Sequence, residues 1–221
     1  PGLITLSDNS RYAHIEGRRD IVFDVNAKSI LGKIDAVVFD LDGTLTDSIG
    51  QILSCTHTTF EYLSLPQPDD KAIMSTIGLE LGEALTSLLP EDKKHLGPSV
   101  TKDYREIFKS RRDLQLDTLF LGIEPLMKKL RELDIKIGYA SGRSMQGIER
   151  TMNATFLGKY CDGICAGSEV PSKPDPTMMH ILCKRLKVEE SSVFGGGDSG
   201  LVIKMCQNAG CWWFGVATGV W

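Results

Sequence analysis

Short apolar runs alternate along this chain with longer stretches whose hydrophobic residues recur every three or four positions. Five runs read as buried strands: IDAVVF (34–39), IKIGYA (135–140), GICAG (163–167), SVFGG (192–196) and CWWFGVAT (211–218), each closing on polar or glycine residues. The helical period predicts a helix over 124–133, where Leu126, Met127, Leu130 and Leu133 share a face, and further helices over 144–156, 176–186 and 199–209. Strands that are apolar throughout, separated by helices, predict an α/β class with a parallel sheet covered by helices. Ligands of such sheets bind beyond the carboxyl ends of the strands, so those polar ends are where chemistry is sought.

From about Thr46 to about Leu119 the alternation stops. Helix-like pieces at 48–63, 69–77, 81–89 and 98–109 are divided by Pro66, Pro68, Gly78 and Pro90, and no strand pattern lies among them. This predicts a helical module, 47–119, inserted into an α/β core made of 33–46 and 120–221, with 1–32 as an N-terminal extension. Within that extension RYAHIEGRRDIVFDV alternates around a polar EGRR, the pattern of a hairpin.

The chain has 221 residues, enough for one sizeable core or a core with a smaller inserted unit. A net charge of −4 disfavours nucleic acid and anionic membrane as partners, since either selects a basic face; a small soluble substrate fits better. The six cysteines form no CxxC pair and have no zinc-finger histidines, which predicts reduced buried thiols in a cytoplasmic protein. No apolar run is long enough to cross a membrane, and no secretory signal pattern opens the chain. The four histidines (His14, His57, His95 and His180) lack ligand spacing and receive no catalytic role.

The strongest local signal is VVFDLDGTLTDS, 37–48. Side chains alternate on a strand, so Asp40 and Asp42 leave the end of the apolar run on the same side. Two carboxylates so placed repel unless a cation or a shared proton relieves them, and such pairs divide labour between a charged nucleophile or ligand and a proton carrier. Gly43 permits a sharp turn and Thr44 can hydrogen-bond it in place. Alone, the pair fits turn chemistry as well as it fits catalysis.

It is accompanied by three further strand-end motifs. DLDGTLTDS, then YASGR with Ser141, then VPSKPDP with Lys173, then GGGDSGLVIKMCQNAG with Asp198, resemble in order and spacing the four motifs of the haloacid dehalogenase superfamily, specifically its helical-capped, phosphoglycolate phosphatase-like members. The resemblance implies a Rossmann-like parallel sheet core, three-layered α/β/α, with an inserted α-helical cap. It implies a phosphatase acting on a small phosphorylated metabolite. Asp40 is then the nucleophile that forms an aspartyl-phosphate and Asp42 the general acid and base. A Mg²⁺ cofactor is implied on Asp40 and Asp198, with Asp42 adding its backbone carbonyl. Ser141, with backbone N–H groups near Leu41 and Gly142, is implied to hold the phosphoryl oxygens, and Lys173 to supply positive charge.

Several positions depart from the family pattern. Val202 stands where a second acid, four residues after Asp198, is usual, which predicts weakened or loosened Mg²⁺ binding. Gly142 and Arg143 replace the common Asn and Lys, and the Arg143 fork suits a carboxylate or phosphate of the substrate. The sequence ends at Trp221, soon after the fifth core strand, where relatives usually continue with another short element. IGLELGE, 77–83, is the expected substrate-contacting loop. A phosphosugar mutase shares all the core motifs, and a non-catalytic relative that binds a phospholigand or a protein is the reading that Val202 motivates.

Overall fold

A computed structural model describes residues 5–6, 34–111 and 118–219. One six-stranded sheet organises them: β1 (Thr5–Leu6), β2 (Ala36–Phe39), β3 (Lys136–Ser141), β4 (Gly163–Ala166), β5 (Val193–Gly197) and β6 (Trp212–Gly215), in the order β1-β6-β5-β2-β3-β4. The five strands from β2 to β6 run parallel, and β1 pairs antiparallel with β6, Thr5 opposite Gly215. The stretch expected to form a hairpin, 11–25, lies outside the described residues.

Period-two alternation on β2 builds both faces of the sheet. Val37 and Phe39 face one apolar cluster with α5 (Ile123–Glu132) and α6 (Met145–Ala154); Ala36 and Val38 face another with α7 (Thr177–Leu186) and α8 (Gly200–Asn208). Each fully buried Leu, Ile or Phe there contributes roughly 1.5–3 kcal/mol. Leu133, expected on the buried face of α5, instead sits at its C-cap and is half exposed. From β2 the chain proceeds to β3 and β4 on one side and to β5 and β6 on the other, so the carboxyl end of β2 is the switch point where ligands of such sheets bind.

Between β2 and β3 lie α1 (Ile49–Tyr62), α2 (Asp70–Ser75), α3 (Leu81–Ser87) and α4 (Gly97–Ser110), with a 3₁₀ turn at Glu91–Leu96. They have a small core of their own in Cys55, Phe60, Leu85, Leu89, Val100 and Tyr104. Asp69 and Glu80 cap α2 and α3 by accepting backbone N–H bonds. His57 belongs to neither core nor site: its ring bonds Gln67 and Asp70 at 2.8 and 2.7 Å on the outer surface and ties α1 to α2. All six cysteines are free thiols. Among the described residues no helix is long and apolar enough to cross a membrane.

Candidate active site

Asp40 is the first residue beyond β2, and its N–H still donates to Gly196 O at 3.0 Å. The chain then turns at Gly43, whose φ of +73° is the left-handed conformation glycine adopts without steric cost. Thr44, carried on that turn, clasps β5: its hydroxyl donates to Asp198 Oδ1 at 3.1 Å and accepts the Asp198 N–H at 3.0 Å. Thr218 adds a bond to Gly43 O at 2.6 Å. The ends of β2 and β5 are thereby fastened together, and Asp40 and Asp198 are both buried there.

Lys173 joins the third strand to this pair. Its wholly buried Nζ lies 2.8 Å from Asp40 Oδ1 and donates to Ala140 O at 3.0 Å. Asp40 Oδ1 also accepts the Leu41 N–H at 2.8 Å, whereas Asp40 Oδ2 is buried with no hydrogen-bond partner. Burial pushes the Asp40 pKa above its ordinary value; Lys173 pulls against that, and the negative charge of Asp42 adds to it. Ser141, at the end of β3, is fully buried and its Oγ accepts the Arg143 N–H at 3.2 Å.

Asp42 has different surroundings. Arg143 Nε donates to both of its oxygens at 3.1 and 3.0 Å, Arg143 Nη2 donates to Oδ1 at 2.6 Å, and Ser48 Oγ donates to Oδ1 at 2.6 Å. Burial opposes ionisation, but Arg143 and Ser48 outweigh it and hold the carboxyl below its ordinary pKa. Arg143, expected to reach for the substrate, thus grips the protein's own carboxylate. A cavity of about 730 Å³ opens beside it, lined by Asp42, Gly142 and Arg143 from the core and by Ile77, Gly78 and Leu79 from the helical interval. The expected substrate loop therefore does line a cavity, although Glu80 within it serves as a helix cap. The two parts touch closely at Gly142, where a Cβ would run into Leu79 O and come within 2.8 Å of Gly78 O.

The described residues contain no group of three His, Cys, Asp or Glu placed to hold a metal ion. What they offer is a two-carboxylate site. Asp40 Oδ2 has no partner, and Asp198 lies against glycine backbone, where a Cβ on Gly43 would come within 2.9 Å of its Cγ. Hard oxygen donors of this kind, few in number and leaving room for water, fit Mg²⁺.

The model of the haloacid dehalogenase-like hydrolase family matches residues 37–216. The chain belongs to that family. As a haloacid dehalogenase-like hydrolase it is 28% identical over 191 residues to a phosphoglycolate phosphatase of Chromobacterium violaceum, covering 82% of this chain and 84% of that one. It is 24% identical over 197 residues to a phosphoglycolate phosphatase of Vibrio parahaemolyticus, covering 84% and 85%. A solved haloacid dehalogenase-like structure from Bacteroides fragilis superposes with a TM-score of 0.75 at 26% identity, over 85% of this chain and 90% of that one.

Within this haloacid dehalogenase-like hydrolase the position of the missing acid is structural. Val202 is buried among the side chains of α7 and α8, and its Cγ2 lies 3.2 Å from where a Cβ on Gly197 would stand, beside Asp40 Cβ. The Val202 methyl and the Asp40 Cβ thus both lie beside Gly197. Thr44 and Ser48 are the residues whose site roles the sequence reading undervalued; both belong to the DGTLTDS segment that carried the resemblance.

Proposed function

We propose that the chain is a Mg²⁺-dependent phosphomonoester hydrolase for a small phosphorylated metabolite, with 33–46 and 120–221 as its catalytic core and 47–119 as a cap. The observation that carries this is the separation of two neighbouring carboxylates into opposite environments, Asp40 buried on Lys173 and Asp42 held ionised at a cavity wall. Environments that push two acids apart assign their roles. The names of the phosphoglycolate phosphatase relatives support the same reaction class.

Asp40 attacks phosphorus, the bond from phosphorus to the leaving oxygen breaks, and that oxygen takes the proton of Asp42. Water then attacks the aspartyl-phosphate, gives its proton to Asp42, and releases inorganic phosphate with the Asp40 carboxylate restored. Arg143 and Ser48 hold Asp42 ionised, the form needed for the second half. An arriving phosphoryl group adds negative charge, which raises the carboxyl pKa and favours the proton needed for the first. Ser141, with the N–H groups near Leu41 and Gly142, holds phosphoryl oxygens, and Lys173 fixes Asp40 and balances its charge. Asp40 and Asp198 would hold Mg²⁺ with the Asp42 carbonyl; when bound, the ion offsets repulsion between an anionic nucleophile and an anionic phosphate. A reducing, cytoplasmic setting belongs to this reading, since the six cysteines form no CxxC pair in the sequence.

The test is inorganic phosphate release from p-nitrophenyl phosphate and a panel of phosphorylated metabolites, with and without Mg²⁺. Metal-dependent release is the expected result. No turnover with any substrate at millimolar metal sinks the hydrolase, and conversion of a phosphosugar to its isomer without phosphate release would make the chain a mutase.

Val202→Asp probes the metal separately. Placing a carboxylate in that apolar cluster is expected to cost on the order of 3 kcal/mol in chelator, with part of the loss recovered and the apparent metal requirement tightened on adding Mg²⁺. Thermal unfolding against metal concentration reads both effects. A titration identical to that of the parent removes Val202 from metal binding.

A further inference from the structure

Two side-chain oxygens among the described residues are buried without a hydrogen-bond partner in the protein, Asp40 Oδ2 and Ser199 Oγ. On the Mg²⁺-dependent phosphohydrolase reading, on which this inference rests, Asp40 Oδ2 falls to the ion. No step of that chemistry uses Ser199. The residue is 6% exposed and occupies the N-cap position of α8, where a serine side chain ordinarily accepts a backbone N–H of the first turn; here it makes no such bond. A buried hydroxyl left unpaired costs free energy, so a polar atom stands here against its burial and apart from its usual local use.

The chain brings this hydroxyl to the carboxylate end of the sheet. Ser199 follows Asp198 and stands two residues beyond Gly197, where an added Cβ would lie 3.0 Å from Asp40 Cβ. A Cβ on Gly78 would lie 3.7 Å from Ser199 Oγ and 3.9 Å from Lys173 Cδ, and Lys173 is the side chain whose Nζ ends on Asp40. Ser199 Oγ thus lies with the lysine stem under the main chain of the helical interval. The neighbouring hydroxyls are engaged: Thr44 on Asp198, Ser48 on Asp42, and Ser141 with the Arg143 N–H.

Two carboxylates leave most of an octahedral Mg²⁺ shell to water, because this ion dehydrates reluctantly. Water on a dication is a strong donor, and the acceptors it finds decide how firmly the ion is held. Val202, on the first turn of α8, is packed among apolar side chains and supplies none.

We propose that Ser199 is a positioning residue of the metal site, its hydroxyl accepting a hydrogen bond from hydration water of the Mg²⁺ held by Asp40 and Asp198, a task left to it by the apolar Val202.

The experiment titrates the full chain with Mn²⁺, a hard cation suited to the same oxygen ligands, reading free ion by electron paramagnetic resonance with no substrate present. Mg²⁺ affinity follows by competition. Ser199→Ala is expected to weaken both affinities by roughly tenfold, the scale of removing a group that holds a metal's ligand, and Ser199→Thr to retain most of the binding. In chelator Ser199→Ala should unfold at a temperature no lower than the parent's, since deleting an unpaired buried hydroxyl strands nothing. A lower unfolding temperature in chelator with metal affinity unchanged would make Ser199 a helix cap only and overturns the proposal. Weaker binding of inorganic phosphate with metal affinity unchanged also overturns it, giving the hydroxyl to a phosphoryl oxygen, and so does a parent chain that binds neither ion. Serine-dependent ion binding without turnover of any ester overturns the hydrolase reading and leaves the metal site standing. Mg²⁺-dependent phosphate release with equal ion affinity in parent and Ser199→Ala does the reverse. If Ser199→Ala fails to fold, Ser199→Gly removes the same hydroxyl at a cap position that glycine tolerates, and the same titration decides.

Discussion

Lys173→Met is expected to lower stability by about 3–5 kcal/mol and to remove nearly all phosphate release. The side chain is wholly buried and faces a buried carboxylate at 2.8 Å, so methionine preserves the packing and deletes only the charge. Asp40 is already pushed towards its neutral form by burial, and Lys173 is the main force opposing that. Without the lysine the carboxyl pKa climbs further, so less of the proposed nucleophile is ionised at neutral pH. The sign of the pH dependence follows. A raised folded pKa penalises the ionised carboxyl, so the stability loss is largest at neutral and higher pH and shrinks as pH falls towards the unfolded carboxylate value. Residual activity should move to higher pH, where Asp40 ionises. Urea unfolding of both proteins at acid and neutral pH checks this; a loss below 1 kcal/mol at neutral pH would show that the pair is not a charged one.

Asp40→Asn is expected to reduce phosphate release by on the order of 10⁴-fold or more, the scale of removing a covalent nucleophile. The amide has nearly the same shape, but it cannot form the phosphorylated intermediate, and rapid-quench labelling with a phosphorylated substrate should find none. Lys173 keeps its bond to Ala140 O but loses its counter-charge, so some stability is lost as well. The double variant Asp40→Asn/Lys173→Met should be more stable than Lys173→Met alone, since removing both charges costs less than stranding one. Residual turnover within tenfold of the parent would exclude Asp40 as the nucleophile.

The core was legible in the sequence because its strands announce themselves. Each of the five apolar runs overlaps a parallel strand: three ladders are shorter, as where Cys211–Thr218 narrows to Trp212–Gly215, while β3 and β5 keep the length and shift by one residue, and Ile34 and Ile135 are buried just before their strands begin. Burial reaches beyond pairing, and hydrophobicity reports burial. The motif order singled out Asp40, Lys173 and Asp198; all three are buried, and Lys173 lies against Asp40. What escaped the sequence is what depends on directions across long separations. Arg143 meets Asp42 from 101 residues away, and Arg150 meets Phe108 from another helix; periodicity says which face of an element is buried and not whom a polar side chain finds. The 3₁₀ turn at Glu91–Leu96 escaped for a local reason, since a charged EDKKHL segment with one terminal leucine carries no hydrophobic period. The Thr5–Leu6 strand escaped because two residues are too few to show alternation.

The meeting of Gly142 with Leu79 O has a consequence for how this protein can diversify. Core and helical interval abut there through main chain, with no room for a side chain on the core side. Any other residue at 142 acts as a wedge that prises the two halves apart, whatever its chemistry. The faces of α1, α3 and α4 that line the cavity carry no such restriction, and residues such as Ile52, Ala84 and Lys109 can be exchanged without disturbing that seam. On the proposed function, new substrate preferences can be reached by drift in the helices, while the joint that sets their distance from Asp42 is fixed by the one residue that has nothing to exchange.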